Sequence, residues 1–310
     1  MNHKFEELIL SSGSIKASIF IGGLIELNKY FPLHNFKYLT GCSAGGIIIT
    51  MLNIGYTLHE LKDFFLNIDL DLFQEFKLKN FFNNCGFDNG NKIDNLLKAF
   101  FLNKNIDINI TFLELYEKTK ITLTFNTVNI TSGDIEYNNH INTPNMSIIL
   151  ALRMTINIPL IYTPIKYNDN LYVDGALLDP FPYNYFKDTK KMGFVIYDTD
   201  EYKFINNIGA KFINDIDNSF NYIFKIMRIV YANYLKEKYK KKNNKNIISF
   251  NTDSYNVTFK LEKNTKEKLI SLGHKNVRLY FKKIYKLKRK KYLMRKFYIL
   301  WKLKKLKLKK

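Results

Sequence analysis

The chain has 310 residues, 46% of them hydrophobic and 25% charged, which is the composition of a globular protein and not of a disordered one. Its formal net charge of +20 is concentrated in one segment. Residues 275–310 hold seventeen Lys or Arg and no Asp or Glu, whereas the rest of the chain carries 31 basic and 28 acidic side chains. The body of the protein is therefore nearly neutral, and the charge belongs to a C-terminal tail of the kind that binds anionic surfaces, either phospholipid or nucleic acid.

The sequence contains two cysteines, Cys42 and Cys85, too few for a disulfide scaffold and compatible with a reducing compartment. No apolar run approaches the roughly 18 residues that cross a bilayer. The first fourteen residues include two glutamates and do not resemble a signal peptide. We therefore expect a cytoplasmic protein.

The order of apolar runs and turn residues predicts an α/β protein in which strands alternate with helices. Leu8–Leu10 and the run before Gly41 each precede small residues and an apolar helix. Thr57 stands three residues before Glu60, the spacing of a capping box at a helix start. The Phe- and Leu-rich residues 66–118 are expected to form short helices and loops that cover a site.

Farther along, the same patterns predict strands at 120–130, 133–139, 191–199 and 247–253, a hairpin over 164–174, and helices over 146–154, 205–239 and 263–285. The hairpin ends at Asp174-Gly175, a tight corner.

The sequence Gly41-Cys42-Ser43-Ala44-Gly45 lies between a predicted strand and a predicted helix. A G-x-S-x-G motif in that position is typical of a nucleophilic serine on a sharp turn, where glycines let backbones approach closely. The helix N-terminus then favours the negative charge that develops during acyl transfer. An ordinary glycine-rich connection between strand and helix is the alternative.

A serine nucleophile needs a base. Of the five histidines, His274 alone could complete a Ser–Asp–His order along the chain. A carboxylate acting alone is the other option, and Asp174 at its corner is the best candidate. Donors for an oxyanion could come from the backbone of the small-residue turn at 11–16.

These three motifs together resemble the patatin-like phospholipases over residues 5–283. The family has a glycine-rich loop with a basic residue, then G-x-S-x-G, then D-G-G or D-G-A, which appear here in that order as "SSGSIKA", "GCSAG" and "DGA". The stretches "TFNTVNITSGDIEY" and "ALRMTINIPLIYTPI" also resemble the family. The resemblance implies a three-layer α/β/α sandwich.

The resemblance also implies a Ser–Asp dyad that hydrolyses phospholipid esters, with Ser43 as nucleophile and Asp174 as general base. The oxyanion donors would be the backbone N–H groups of Gly13, Ser14 and Ile15. Lys16 matches the family's basic residue, and Gly41, Gly45 and Gly175 are the supporting glycines. No metal or other cofactor is implied.

The chain departs from the family pattern in the oxyanion loop, where Ser12 and Ser14 replace two of three consecutive glycines and Ala17 replaces a further glycine. Serine keeps its N–H, but a position that needs φ > 0 would be strained. A weakened or inactive protein that binds membranes or nucleic acid is therefore the alternative function. An α/β-hydrolase that uses Ser43, an aspartate and His274 is the rival enzyme.

The basic segment from Lys275 to Lys310 contains apolar residues at helical spacings among its cations: Leu293, Phe297, Leu300, Trp301, Leu303 and Leu306. This pattern is typical of an amphipathic helix on an anionic membrane, so we expect peripheral membrane association. Nucleic acid is the less favoured partner. We divide the chain into a catalytic core at 5–200, a helical extension at 201–283 and a basic aromatic tail at 284–310.

Overall fold

The computed structural model describes residues 5–198, 226, 229, 246–252 and 261–307. The strands are β1 Glu7–Leu10, β2 Tyr38–Gly41, β3 Gly86–Asp88, β4 Thr122–Asn129, β5 Asp134–Asn138, β6 Leu160–Tyr162, β7 Ile165–Tyr167, β8 Asn170–Asp174, β9 Lys191–Asp198 and β10 Ile247–Thr252. The helices are α1 Ser18–Asn28, α2 Ala44–Asn53, α3 Leu58–Asn67, α4 Leu78–Asn84, α5 Asn91–Leu102, α6 Phe112–Thr119, α7 Ile148–Thr155 and α8 Lys263–Lys307. Short 3-10 helices occupy Ser14–Ala17, Leu33–Asn35, Leu70–Phe73 and Gly175–Leu177.

A central sheet has the strand order β10-β9-β1-β2-β4-β8-β7, and β5 also pairs with β4. The first five strands of this order run parallel, whereas β5 and β8 run antiparallel to β4 and β7 runs antiparallel to β8. Helices flank the sheet. The predicted α/β fold class with a central sheet between helices is therefore confirmed.

The register of β4 explains how distant parts of the chain meet. Gly41, the last residue of β2, pairs with Phe125 near the middle of β4. Beyond that point β4 continues and pairs with β8, and Thr127 lies opposite Asp174. Because β8 runs the other way, its last residue reaches the sheet just beyond the end of β2.

Helix α1 packs between the sheet and α8. A Cβ on Gly22 would lie 1.8 Å from the Ile270 carbonyl oxygen, and one on Gly273 would lie 2.1 Å from that of Ile19. The two helix backbones therefore touch at these glycines. On the sheet side, Phe20 packs against Phe194 and Phe250 of β9 and β10, with ring centroids 6.2 and 5.8 Å apart.

Residues 58–102, which we call the cover segment, contain α3, a 3-10 helix, α4, β3 and α5. The predicted capping box at its start is present, since Thr57 accepts a hydrogen bond from the Glu60 N–H and the Glu60 carboxylate accepts one from the Thr57 N–H. β3 pairs with β6 in a separate two-stranded sheet that the sequence patterns did not predict. Each of these strands has three residues, too few to show an alternating pattern.

The other predicted strands, the hairpin and helix α7 are confirmed. Helix α8 is longer than predicted and runs on to Lys307, past the proposed tail boundary at 283/284. Most of the predicted helix over 205–239 lies outside the described residues, as do the side chains in which the tail's amphipathic pattern was predicted. The three-part division of the chain stays a prediction.

Candidate active site

Ser43 occupies a sharp turn between β2 and α2. It is the N-cap residue of α2, with φ 53° and ψ −124°. A residue with a side chain rarely adopts this backbone conformation, and its cost is of order 1–3 kcal/mol. The turn holds the serine at the start of the helix, where the helix dipole favours negative charge.

The glycines on either side of Ser43 allow this turn to pack. A Cβ on Gly45 would lie 2.5 Å from the Leu10 carbonyl oxygen and 2.6 Å from that of Ser11. One on Gly41 would lie 2.7 Å from the backbone nitrogen of Gly46. The start of α2 therefore rests directly on the end of β1.

Thr155, the last residue of α7, holds the turn from the other side. Its hydroxyl accepts a hydrogen bond from the Ser43 N–H at 3.1 Å and donates one to the Asn126 carbonyl oxygen at 2.8 Å. Thr155 is fully buried. A single hydroxyl thus ties the strained turn to β4.

Asp174 ends β8 beside this turn and is 3% exposed. Its Oδ2 accepts a hydrogen bond from the Ser43 hydroxyl at 2.7 Å, and its Oδ1 accepts one from the Ala176 N–H at 2.8 Å. Gly175 follows in close backbone contact, because a Cβ there would lie 2.2 Å from the Asn126 carbonyl oxygen. The carboxylate is therefore fixed at both oxygens.

Burial raises the pKa of Asp174 to about 7, although the hydrogen bonds from Ala176 and Ser43 oppose that shift. The Cys42 thiol lies 3.9 Å from Asp174 Oδ1, and burial raises the pKa of that thiol well above its usual range. A carboxyl group with a pKa near neutrality is suited to both accepting and returning a proton.

The predicted oxyanion loop contributes two residues to the pocket at Ser43. Gly13 precedes the 3-10 helix Ser14–Ala17, so Ser14 and Ile15 begin it with backbone N–H groups that have no partner within the helix. Both residues line the same pocket as Ser43. Gly13 and Lys16 do not line it.

Ser14 adopts φ 47°, the left-handed backbone conformation that glycine, the family's residue at this position, adopts without strain. The serine has therefore kept the glycine-like backbone at a cost of roughly 1–2 kcal/mol. At Ser12 no such conformation occurs.

An apolar pocket opens at Ser43. Thirteen of its seventeen lining residues have hydrocarbon side chains: Ile15, Ala44, Ile47, Phe64, Phe65, Ile68, Leu70, Phe73, Ile93, Leu96, Phe100, Ile156 and Ile158. The other four are Ser14, Ser43, Gln74 and Tyr162. Its volume of about 80 Å³ compares with roughly 10–15 Å³ for one water. The pocket can accept a hydrocarbon chain, and much of its wall comes from the cover segment.

His274, the base in the rival interpretation, lies elsewhere. Its Nδ1 is 3.5 Å from a carboxylate oxygen of Glu26 on α1. Glu26 is buried and also receives hydrogen bonds from Arg278 and Lys29, and Arg278 above all lowers the pKa of Glu26 to about 2. His274 is part of this ion-pair cluster between α1 and α8 and not of the Ser43 site.

Comparison with known proteins identifies the family. A family model described as Patatin-like phospholipase matches residues 8–187, which is more than half of the chain. The chain belongs to the patatin-like phospholipase family. The match covers all three motifs of the site, and family membership supports lipid hydrolase activity for this patatin-like chain.

Two viral proteins are similar to this patatin-like chain. The probable lipid hydrolase 463L of Invertebrate iridescent virus 6 is 31% identical over 234 residues, which cover 68% of this chain and 79% of the relative. Uncharacterized protein R571 of Acanthamoeba polyphaga mimivirus is 28% identical over 286 residues, 89% of this chain and 93% of the relative.

Among solved structures, VipD from Legionella pneumophila has the same fold, with a TM-score of 0.59 at 15% identity. The alignment covers 90% of this patatin-like chain and 67% of VipD. At that identity the likeness concerns the fold alone.

Thr155 and Asn126 were not among the residues singled out from the sequence. Both lie inside stretches that resemble the family, and Thr155 is a polar residue at the end of an apolar helix. That contrast is the one signal that could have drawn attention to it.

Within the described ranges, no group of three or more His, Cys, Asp or Glu could hold a metal ion, and no helix is long and apolar enough to cross a membrane.

Proposed function

We propose that this protein is a phospholipase A-type serine hydrolase that cleaves the carboxylic esters of membrane phospholipids with a Ser43–Asp174 dyad. The hydrogen bond of 2.7 Å from the Ser43 hydroxyl to Asp174 Oδ2, at the mouth of an apolar pocket, carries the proposal. A carboxylate that already accepts the hydroxyl proton can act as a base without a histidine.

In the first half of the reaction, Ser43 Oγ attacks the ester carbonyl while its proton passes to Asp174. The tetrahedral oxyanion receives hydrogen bonds from backbone N–H groups of Gly13, Ser14 and Ile15. The intermediate then expels the lysophospholipid alkoxide, which takes the proton from Asp174. The acyl group remains on Ser43 as an ester.

In the second half, Asp174 accepts a proton from water as the water attacks the acyl-enzyme. Collapse of the second tetrahedral intermediate releases the fatty acid and returns the proton to Ser43 Oγ. The acyl chain occupies the apolar pocket throughout. Lys16, next to the donors, attracts the substrate phosphate or orients the loop.

The basic tail from Lys275 to Lys310 supplies attraction to an anionic membrane in this proposal, because its seventeen cations have no acidic residues among them. Binding through the tail is expected to weaken with salt. Nucleic acid is the alternative anionic partner, and a comparison of anionic vesicles with nucleic acid at equal salt separates the two.

The dyad is tested by ester hydrolysis. We expect Ser43→Ala and Asp174→Ala each to lower the rate about 10³-fold or more, because they remove the nucleophile and its base. His274→Ala is the matched control and should keep activity within about threefold, since His274 belongs to the Glu26 cluster. Full activity in either dyad variant, with a retained fold, contradicts the proposal.

A further inference from the structure

The outer surface of the cover segment exposes four large apolar side chains, Leu72, Phe76, Leu78 and Phe82, which are between 53% and 75% exposed. We call them the apolar patch. They fall within residues 72–82, whereas exposed apolar side chains are ordinarily scattered. Large apolar side chains exposed close together are typical of an interaction site.

The patch and the pocket share one short segment of the chain. In the 3-10 helix Leu70–Phe73, Leu70 and Phe73 line the pocket, and Leu72 between them is exposed. The same turn of chain thus forms the inner wall of the pocket and the start of the outer patch.

The patch rests on an ordered base. The Phe81 ring stacks on Phe87 at 4.4 Å, the Phe82 ring packs against Phe81 at 5.7 Å, and the Phe76 ring lies 6.2 Å from Phe87. The buried Asn80 side chain donates a hydrogen bond to the Gly86 carbonyl oxygen at 2.7 Å. The exposed rings therefore project from a packed surface.

The charge around the patch is balanced. The Glu75 carboxylate lies 3.0 Å from the Lys77 ammonium and 3.3 Å from that of Lys92. An anionic surface gains little from these paired charges. Attraction to a surface must come from burying the apolar side chains.

We propose that the apolar patch inserts into the leaflet of a phospholipid bilayer that faces the protein. Lipid then enters the pocket of Ser43 from this leaflet. This inference rests on the proposed function, because a bilayer is the surface from which that function draws its substrate. It assigns binding to the cover segment, independently of the basic tail.

Vesicle binding tests the proposal in the Ser43→Ala background, where lipid stays intact. Phosphatidylcholine vesicles in about 0.5 M salt suppress attraction through the basic tail. We expect Leu78→Gln with Phe82→Gln to lower vesicle partitioning about tenfold or more. The matched control is Ile130→Gln with Ile141→Gln, which removes two side chains 43% and 64% exposed that do not line the pocket, and it should bind like the parent.

Insertion itself is measured by fluorescence in a Trp301→Phe background, which removes the single native tryptophan. Phe82→Trp should be quenched by lipids brominated in their acyl chains, and Ile141→Trp should not. Equal quenching of the two reporters, or equal partitioning of the two double variants, overturns the proposal.

The active enzyme separates this proposal from the proposed function. With Ser43 restored, Leu78→Gln with Phe82→Gln should lose vesicle hydrolysis about tenfold and keep hydrolysis of a short-chain ester within about twofold. If this double variant also lost hydrolysis of the short-chain ester, the docking role would be overturned. The patch would then be needed for the structure of the active site and not for contact with the membrane. If the unaltered chain hydrolyses no ester, the proposed function fails and the vesicle-binding result still decides the docking role.

Discussion

The wall of the pocket that carries Ser43, together with the Asp174 side chain bonded to it, is held by backbone contacts and buried hydrogen bonds. The wall formed by the cover segment is held by apolar side chains, and exposed apolar side chains such as Leu72 lie next to them in the sequence. Beside Ser43 and Asp174, a Cβ on Gly45 or on Gly175 would lie 2.5 or 2.2 Å from a backbone oxygen of β1 or β4. We infer from this difference that the first wall determines whether the ester is hydrolysed. The second wall, formed by the cover segment, determines which acyl chain enters the pocket and from which side.

Outside the dyad, the largest effect is expected at Thr155, which supports the first wall through its hydrogen bonds to Ser43 and Asn126. Thr155→Val removes the acceptor for the Ser43 N–H and the donor to Asn126, so the strained turn loses its tie to β4. We expect the rate of ester hydrolysis to fall about 10²-fold, the usual result of misplacing a reacting group by about 1 Å.

Two matched variants make that test specific. Thr155→Ser keeps the hydroxyl and should restore most of the rate. Thr124→Val removes a buried hydroxyl on β4 that has no hydrogen-bond partner among the described residues, and it should leave the rate unchanged. If Thr155→Val behaves like Thr124→Val, the turn does not depend on this hydroxyl.

A smaller effect on kcat/KM, which depends on the acyl-chain length of the substrate, is expected from changes in the second wall. Leu96 lines the pocket from α5, so Leu96→Trp should shorten the space for a chain. We expect kcat/KM to fall about tenfold for long-chain esters and less than about twofold for short ones. Leu102→Trp, on an exposed position of the same helix, should change neither value. Equal losses for both chain lengths would contradict a role in chain accommodation.

The smallest effect is expected in the oxyanion loop. Ser14→Gly relieves the left-handed backbone at φ 47°, so the free energy of unfolding should rise by about 0.5–1 kcal/mol. Ser12→Gly, where the backbone has no such strain, should lower it by about 0.5 kcal/mol through the more flexible unfolded chain. Thermal and urea unfolding measure both values. If Ser12→Gly raised the free energy of unfolding as much as Ser14→Gly, backbone strain at Ser14 would not be the cause.

Much of the fold follows from local sequence patterns. The runs before Ser43 and Asp174 are short, apolar and bounded by turn residues, and they form strands where predicted. β3 and β6 could not be found in this way, because each has three residues and pairs with a distant strand. The continuity of α8 was also missed, because the stretch 286–291 between its two predicted helical parts is almost entirely cationic and shows no apolar spacing.

The candidate site was predictable to a similar degree. The motifs identified Ser43 and Asp174, and the structure brings their side chains together. The tie through Thr155 could not be predicted, because it depends on the end of α7 meeting β2 and β4 in three dimensions. The positive φ of Ser14 likewise depends on the packing of the loop and not on the residue itself.

The most direct measurement of the central claim is the rate at which a fluorophosphonate probe labels Ser43 as a function of pH. Below its pKa of about 7 Asp174 is protonated and cannot accept the serine proton. The rate should therefore fall about tenfold per pH unit below 7 and level off above it. Asp174→Asn should lower the rate about 10³-fold and abolish the pH dependence. Labelling of Asp174→Asn at the rate of the unaltered protein, or a flat profile from pH 5 to 8, would contradict the assignment of Asp174 as the base for Ser43.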